Sequence, residues 1–374
     1  MRILLSKPHM GGAEQDWVAK AFEANFIAPV GPQLDLFEEK VSAYLGRGLH
    51  CVAVSSGTAA LHLALRIADV GSGDEVWVSS MTFAGGVFPI SYLNATPVFF
   101  DLNPRTWTID VDLVEEKLDA AAKRGCLPKA IIPTDLYGQS VDLTPLELIA
   151  DKYGVSLIVD SAESFGAEYR ERRKAGTGGD AAILSFNGNK MITTSGGGLL
   201  VTKHRNWAKK ARFLSTQARD PAPHYQHTTI GYNYRMSNVS AAIGLGQLEV
   251  LEQRVLARRE IFDRYNEALS HKGVEFMPEL EGTKSSRWLT TIKIDPTKVG
   301  FTREELRLSL LDKGIESRPL WKPMHLQPVY SNCNYVGNNF DKDLFDTGLC
   351  LPSGSDMTLS EQTEVIEHII NFVT

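Results

Sequence analysis

Residues 181–201 read AAILSFNGNKMITTSGGGLLV. Two short apolar runs, Ala181–Phe186 and Gly198–Val201, bracket a polar, glycine-rich loop that carries Lys190. Runs of this length bounded by turn residues read as buried strands. Working outward, similar runs recur at Cys51–Val54, Glu75–Val78, Pro97–Phe100, Lys129–Pro133 and Ser156–Val159, giving seven in all. Helical periodicity separates most of them, as at Ala59–Ile67, Val111–Lys123 and Pro145–Lys152. Near-continuous apolar strands alternating with helices predict an α/β fold whose mostly parallel, seven-stranded sheet is covered on both faces.

Before the first strand, a helix is expected over Glu14–Asn25, a break at Pro29, Gly31 and Pro32, and a second helix over Leu34–Leu45. Past GYNYRMSN at 231–238, a helical pattern starts near Ser240 and runs on through LEQRVLARREIFDRYNEAL, which predicts one long connecting helix. A smaller α+β unit should follow, with a strand in RWLTTIKI (287–294) and helices near Arg303–Asp312 and Ser360–Phe372. The expected division is an N-terminal arm and large domain over 1–245 and a small domain over 246–374, including the connecting helix.

The charge balance, −6 with 39 basic and 45 acidic residues, is interspersed and offers no basic run to neutralise a nucleic-acid backbone. The first residues, MRILLSKPHMGG, lack the long apolar region of a secretory signal, and no stretch reaches membrane-spanning length. Cys51, Cys126, Cys333 and Cys350 are scattered without CxxC spacing, so neither a zinc site nor a disulfide framework is expected. Nor do the histidines have ligand spacing, and no metal is placed. These features point to a cytoplasmic chain without nucleic-acid or membrane partners.

Three segments carry the chemistry. In VSSGTAALHLAL (54–65) a strand runs through Ser55, Ser56 and Gly57 into a helix beginning near Thr58, which presents free backbone N–H groups to an anion; a plain N-capped helix looks the same. In VSLIVDSAESFG (155–166) Asp160 ends a buried strand, where open α/β sheets hold their ligands; it either caps the next turn or pairs with a buried cation such as a protonated pyridine nitrogen. The third is the loop quoted first, where a strand delivers Ser185, Asn187 and Lys190 beside small residues that admit a cofactor. Phe83 in SSMTFAGG either stacks on a flat ring or belongs to the core, and Glu163 either helps to position that ring or is an exposed turn carboxylate.

On these residues the chain resembles the DegT/DnrJ/EryC1/StrS sugar aminotransferases, a family of fold-type I pyridoxal-phosphate enzymes. The resemblance runs nearly end to end through SGTAALHLAL, SSMTFAG, DLYGQ, VDSAESFG, SFNGNKMITTSGGG and GYNYRMSNVSAAIGLGQLE. It implies pyridoxal 5'-phosphate as cofactor, with Lys190 as the lysine that binds it covalently and moves the proton. Asp160 would meet the pyridine nitrogen, Gly57, Thr58 and Ser185 would hold the phosphate, with Asn187 close by, and Phe83 and Glu163 would flank the ring. It also implies a homodimer with shared active sites in which Asn233 reaches the partner's phosphate site; sequence alone reads Asn233 as a turn residue. A lysine at this position, in place of the histidine of a dehydrating branch, implies transamination.

The same resemblance implies L-glutamate as amino donor and a nucleotide-linked keto-sugar as acceptor. QARDPAPHYQHTTIGYNYRMSN (217–238) and ESRPLWKPMHLQP (316–328) look like the enzymes that aminate a UDP-linked 4-keto-6-deoxy-N-acetyl sugar for bacillosamine-type glycans and exopolysaccharide. GDP- and dTDP-sugar aminotransferases are the alternatives. A nucleotide diphosphate needs cationic contacts; Arg219, His227, Arg235 and His325 are the candidates, with Arg212, Arg287 and Lys322 behind them, each also readable as a surface or structural charge. No GxGxxG opens a helix after a strand, which argues against a dinucleotide-binding dehydrogenase, and no cysteine lies in a glycine-rich mobile loop as a desulfurase would need. A non-catalytic sensor on the same fold remains the reading from another class. It would be expected to carry a DNA-binding segment, whereas this chain starts almost directly with the catalytic domain.

Overall fold

The computed structural model describes residues 1–373. Its strands are β1 (His50–Val54), β2 (Glu75–Ser79), β3 (Thr96–Phe100), β4 (Ala130–Ile132), β5 (Ser156–Asp160), β6 (Ala181–Ser185), β7 (Gly198–Thr202), β8 (Val274–Phe276), β9 (Thr290–Ile294), β10 (Arg318–Pro319), β11 (Tyr335–Val336) and β12 (Gly348–Leu351). The large sheet has the order β1-β7-β6-β5-β4-β2-β3-β11. All its pairings are parallel except the two made by β7, which runs antiparallel to β1 and β6. The seven expected strands are present. An eighth, the two-residue β11, returns from far down the chain to pair with β3 at the edge, too short to carry a periodic signal of its own.

Apolar side chains cover both faces of this sheet, as the unbroken apolar strands require. On one face lies the helix Gly57–Ile67, in which Ala59 to Leu65 and Ile67 are all buried; the helices Val111–Arg124 and Leu143–Tyr153 pack with the strands in a separate core cluster. The parallel strands β2, β4, β5 and β6 all end at one edge, and so does β1. Because β7 is antiparallel, its beginning, the glycine run 196–198, arrives at that same edge. The site is assembled there.

The second unit is an antiparallel sheet, β10-β12-β9-β8, packed with the helices Leu251–Leu269, Arg303–Asp312 and Leu359–Val373 around Ile261, Tyr265, Ile292, Leu306, Leu349 and Ile369. Two segments cross the cut at 245/246: Ile3 bridges to Ile315 and is buried in this second core, while β11 belongs to the large sheet. The single connecting helix expected from Ser240 onward is in fact two, Asn238–Leu248 and Leu251–Leu269, with Val250 at φ −110° and ψ 5° between them. The first is wedged against the helices Glu14–Glu23 and Pro32–Leu45, where any side chain at Gly246 would meet the backbone of Ala13 and Glu14. The second turns away to cover the small sheet, and one straight helix cannot do both. No helix among the described residues is long and apolar enough to cross a membrane.

Candidate active site

At the strand-end edge lies a cavity of about 300 Å³ lined by Gly57, Thr58, Phe83, Asp160, Glu163, Ser185, Asn187 and Lys190. Eight of the residues singled out in four distant stretches of sequence thus face one hollow. Thr82, Gly85, Gly86, Thr134, Gly196, Gly197, Trp288 and Trp321 complete much of its wall.

The anion end is built from the start of the helix Gly57–Ile67. Ser56 caps it, its hydroxyl accepting from the Ala59 N–H at 3.0 Å. The preceding first-turn amides have no carbonyl of the helix to bond and stand at its positive terminus. A Cβ at Gly57 would lie 3.1 Å from the Ser185 Cβ, closer than ordinary contact; the Ser185 and Thr58 hydroxyls face the same cavity there.

At the opposite side Asp160 is buried at the end of β5, with Oδ1 accepting the Ala162 N–H at 3.1 Å. Its other oxygen faces Gly86, where a Cβ would stand 2.6 Å away. Burial is the main cause that pushes this carboxyl up to about 6, aided by the charges of Glu163 and Asp135 and opposed by the Ala162 N–H and Lys190. A cation in the cavity would reverse that penalty. Thr134 Oγ1, also in the wall, is buried without a hydrogen-bond partner among the described residues.

Lys190 reaches into the cavity with Nζ 3.5 Å from Glu163 Oε1 and 3.9 Å from the centre of the Trp288 ring. Glu163 is only 4% exposed, so it is no exposed turn residue. It is fixed by two further donors, the Tyr137 N–H to Oε2 at 3.0 Å and the Trp321 indole to Oε1 at 3.1 Å. The Tyr137 ring lies nearly parallel to both the Trp288 and Trp321 rings, at 6.4 and 6.0 Å between centres. Phe83 stands 56% exposed at the cavity mouth, tilted against Trp321 at 5.4 Å, and is not a core residue. Trp288, Trp321, Tyr137 and Thr134 escaped the sequence reading; the only signal was two tryptophans in segments singled out for other features.

The candidate diphosphate contacts fare differently. Arg235 is a correction: its guanidinium, 6% exposed, bonds Glu38 and the Ala53 carbonyl, so it ties β1 to the helix Pro32–Leu45 and is not free for substrate. His325 lies outside the wall of this cavity, stacked on Tyr335 at 4.0 Å with Nδ1 3.4 Å from Asp341, and burial holds its imidazole below the usual range. Arg287 is packed over Phe262 and beside Glu279. Arg212 joins Glu38 at 2.7 Å. Arg219 covers the Tyr225 ring and His227 bonds the Gln217 carbonyl at 2.9 Å, both outside this cavity; Asn233 is exposed and lines it in no part. Lys322 borders a second hollow of about 420 Å³ that adjoins the first through Thr82, Phe83 and Trp321.

The residues present fit pyridoxal phosphate: a helix start with two hydroxyls for a phosphate, a buried carboxylate lacking its cation for a pyridinium, and an amine between them. Comparison with known proteins agrees. Residues 8–370 match the DegT/DnrJ/EryC1/StrS aminotransferase family. The chain is 47% identical over 375 residues to EpsN of Bacillus subtilis, which bears the name of a pyridoxal phosphate-dependent aminotransferase, covering 99% of this chain and 95% of that one. It is 35% identical over 367 residues to a GDP-perosamine synthase of Caulobacter vibrioides, covering 98% and 96%. A crystal structure of a DegT/DnrJ/EryC1/StrS aminotransferase from Brucella abortus superposes with a TM-score of 0.89 at 30% identity, covering 96% and 95%. The chain therefore belongs to the DegT/DnrJ/EryC1/StrS family, with the fold-type I architecture, and is a pyridoxal phosphate-dependent sugar aminotransferase.

Proposed function

We propose that this sugar aminotransferase moves the amino group of L-glutamate to C4 of a UDP-linked 2-acetamido-2,6-dideoxy-4-hexulose. The observation that carries the chemistry is the pair of half-buried Lys190 and buried Glu163, facing the same cavity as Asp160. Bound there, pyridoxal phosphate supplies an aldehyde carbon that takes up amines and a ring that accepts an electron pair from the adjacent carbon. Asp160 would hold the proton on the ring nitrogen, paired charge to charge. Ser185, Thr58 and the helix start would hold the phosphate. Lys190, its amine free, would carry the proton from the donor carbon to the cofactor's aldehyde carbon across the shared nitrogen, and Glu163 would keep that amine aimed inward.

The substrate assignment is supported by segments 217–238 and 316–328, whose residues resemble those of UDP-N-acetyl-sugar aminotransferases. The second segment borders the adjoining hollow at Trp321 and Lys322, room that a nucleotide-linked sugar needs beyond the cofactor. The reading includes a homodimer: Asn233 and the segment before it, with Tyr225 79% and Ile230 82% exposed, would close the partner's site. It also takes the reaction to be cytoplasmic, in keeping with four unpaired cysteines.

The test is spectroscopic. Cofactor-loaded enzyme is converted with glutamate, then challenged separately with UDP-, GDP- and dTDP-linked 4-keto-6-deoxy sugars. The visible band of the aldehyde form should disappear with glutamate and return only with the UDP-N-acetyl sugar. Return with a GDP-sugar alone would move the assignment toward the reaction named for the Caulobacter relative, and no response to glutamate would refute the donor.

A further inference from the structure

The loop that carries Lys190 is weakly tied to the rest of the protein. Within it, the Lys190 N–H bonds the Asn187 carbonyl at 3.0 Å and the Gly188 N–H bonds the Asn187 side chain at 2.9 Å. Among the described residues, the backbone of 187–189 joins other segments through one acceptor, the Asn189 carbonyl. It receives the Trp288 indole N–H at 2.7 Å and the Ser6 hydroxyl at 3.2 Å.

Both donors lead to the same residue. Arg258, in the helix Leu251–Leu269, is 1% exposed. Its guanidinium donates to the Trp288 carbonyl, to the Ser353 carbonyl at 3.1 Å and to the Ser6 hydroxyl at 3.0 Å. It makes no ion pair among the described residues. Asp356, whose charge favours it, is engaged with Lys7 at 2.8 Å, and burial lowers the guanidinium to about 10. A buried cation bonded to carbonyls and a hydroxyl is an expensive way to fill space, since an apolar side chain would avoid the desolvation. What it does here is fix, at once, the two groups that hold the residue before Lys190.

We propose that Arg258 and Ser6 are positioning residues for Lys190, setting through Trp288 and the Asn189 carbonyl where the amine meets its carbon. This rests on the reading of Lys190 as the reacting amine. The consequence is specific: weakening this network should slow the steps in which Lys190 bonds carbon or moves a proton, and leave substrate binding alone.

Full-length enzyme stripped of cofactor is mixed with pyridoxal phosphate and quenched with borohydride at timed intervals. The Lys190 amine condenses with the aldehyde carbon, releasing one water, and hydride added to the C=N bond fixes the product for mass spectrometry. Ser6→Ala should slow capture on Lys190 about fivefold, the value of one hydrogen bond, and Arg258→Met by more than about tenfold, with Arg258→Lys between them. In turnover kcat should fall in the same order while KM for glutamate stays within about twofold. Wild-type capture rates and kcat in both Ser6→Ala and Arg258→Lys, with only thermal stability lowered, would overturn the proposal. Absence of any Lys190 adduct in the wild type would instead sink the reading of Lys190 itself, and this inference with it.

Discussion

Replacing Asp160 by Asn should move the stability of the empty protein and its grip on the cofactor in opposite directions. In the empty protein burial pushes the Asp160 carboxyl up to about 6, whereas in the unfolded chain it titrates near its ordinary value of about 3.9. Between these values the folded state binds more protons than the unfolded one. Stability from this group therefore falls as pH rises through the window from about 4 to about 6, and the loss is complete above it. Two units correspond to about 3 kcal/mol at neutral pH, an upper bound on what the uncharged amide recovers, since its NH2 must also be solvated. For 374 residues, that is a rise of about 4 °C in Tm at most. With cofactor the sign reverses: a charge-assisted hydrogen bond to the ring nitrogen is lost, weakening binding by about 30- to 100-fold. Calorimetry of the empty proteins at pH 4.5 and 7.5, with cofactor titration at pH 7.5, reads both effects. The Tm gain should be full at the higher pH and fall to about a third of that at the lower. If the variant is no more stable at pH 7.5, or binds the cofactor as tightly as the wild type, the reasoning about this carboxylate fails.

Two further outcomes follow from the packing. Gly86→Ala places a Cβ 2.6 Å from Asp160 Oδ2 and 2.7 Å from Thr82 Oγ1, so the carboxylate must move; cofactor affinity should drop at least about tenfold, with about 1–3 kcal/mol lost in denaturant unfolding. Glu38→Ala leaves the Arg235 guanidinium buried without its carboxylate, and should cost about 3–5 kcal/mol in the same unfolding experiment. Its KM for the keto-sugar should be unchanged, because Arg235 belongs to the framework; a large KM effect at native stability would restore Arg235 as a substrate contact.

How much of this was legible beforehand varies with the range of the interaction that decides each feature. Strand and helix positions in the large domain are local matters of apolar runs and caps, and the seven strands stood where the runs predicted. β11, two residues long, exists only because β3 offers it an edge. The expected long helix is interrupted at Val250 because its halves serve different cores, which periodicity along the chain cannot show. Asp160, Lys190 and Gly57 were readable because strand ends and helix starts are where an α/β sheet exposes its chemistry.

The roles of charges and aromatics were harder to read, since a side chain's chemistry does not say which distant group it will meet. Arg235 looked like a ligand contact until Glu38, 197 residues away, was found against it. Glu163 was ambiguous until Trp321, 158 residues on, and the Tyr137 amide were seen to hold it beside Lys190. The sequence by itself determined where the strands of the large sheet lie and picked out Gly57, Asp160 and Lys190 as candidates for a cofactor site, because each of these signals is written in a short run of consecutive residues. Only the tertiary structure decided which cations were already paired and which rings enclose the amine, because those depend on contacts made when separate segments are packed into one core.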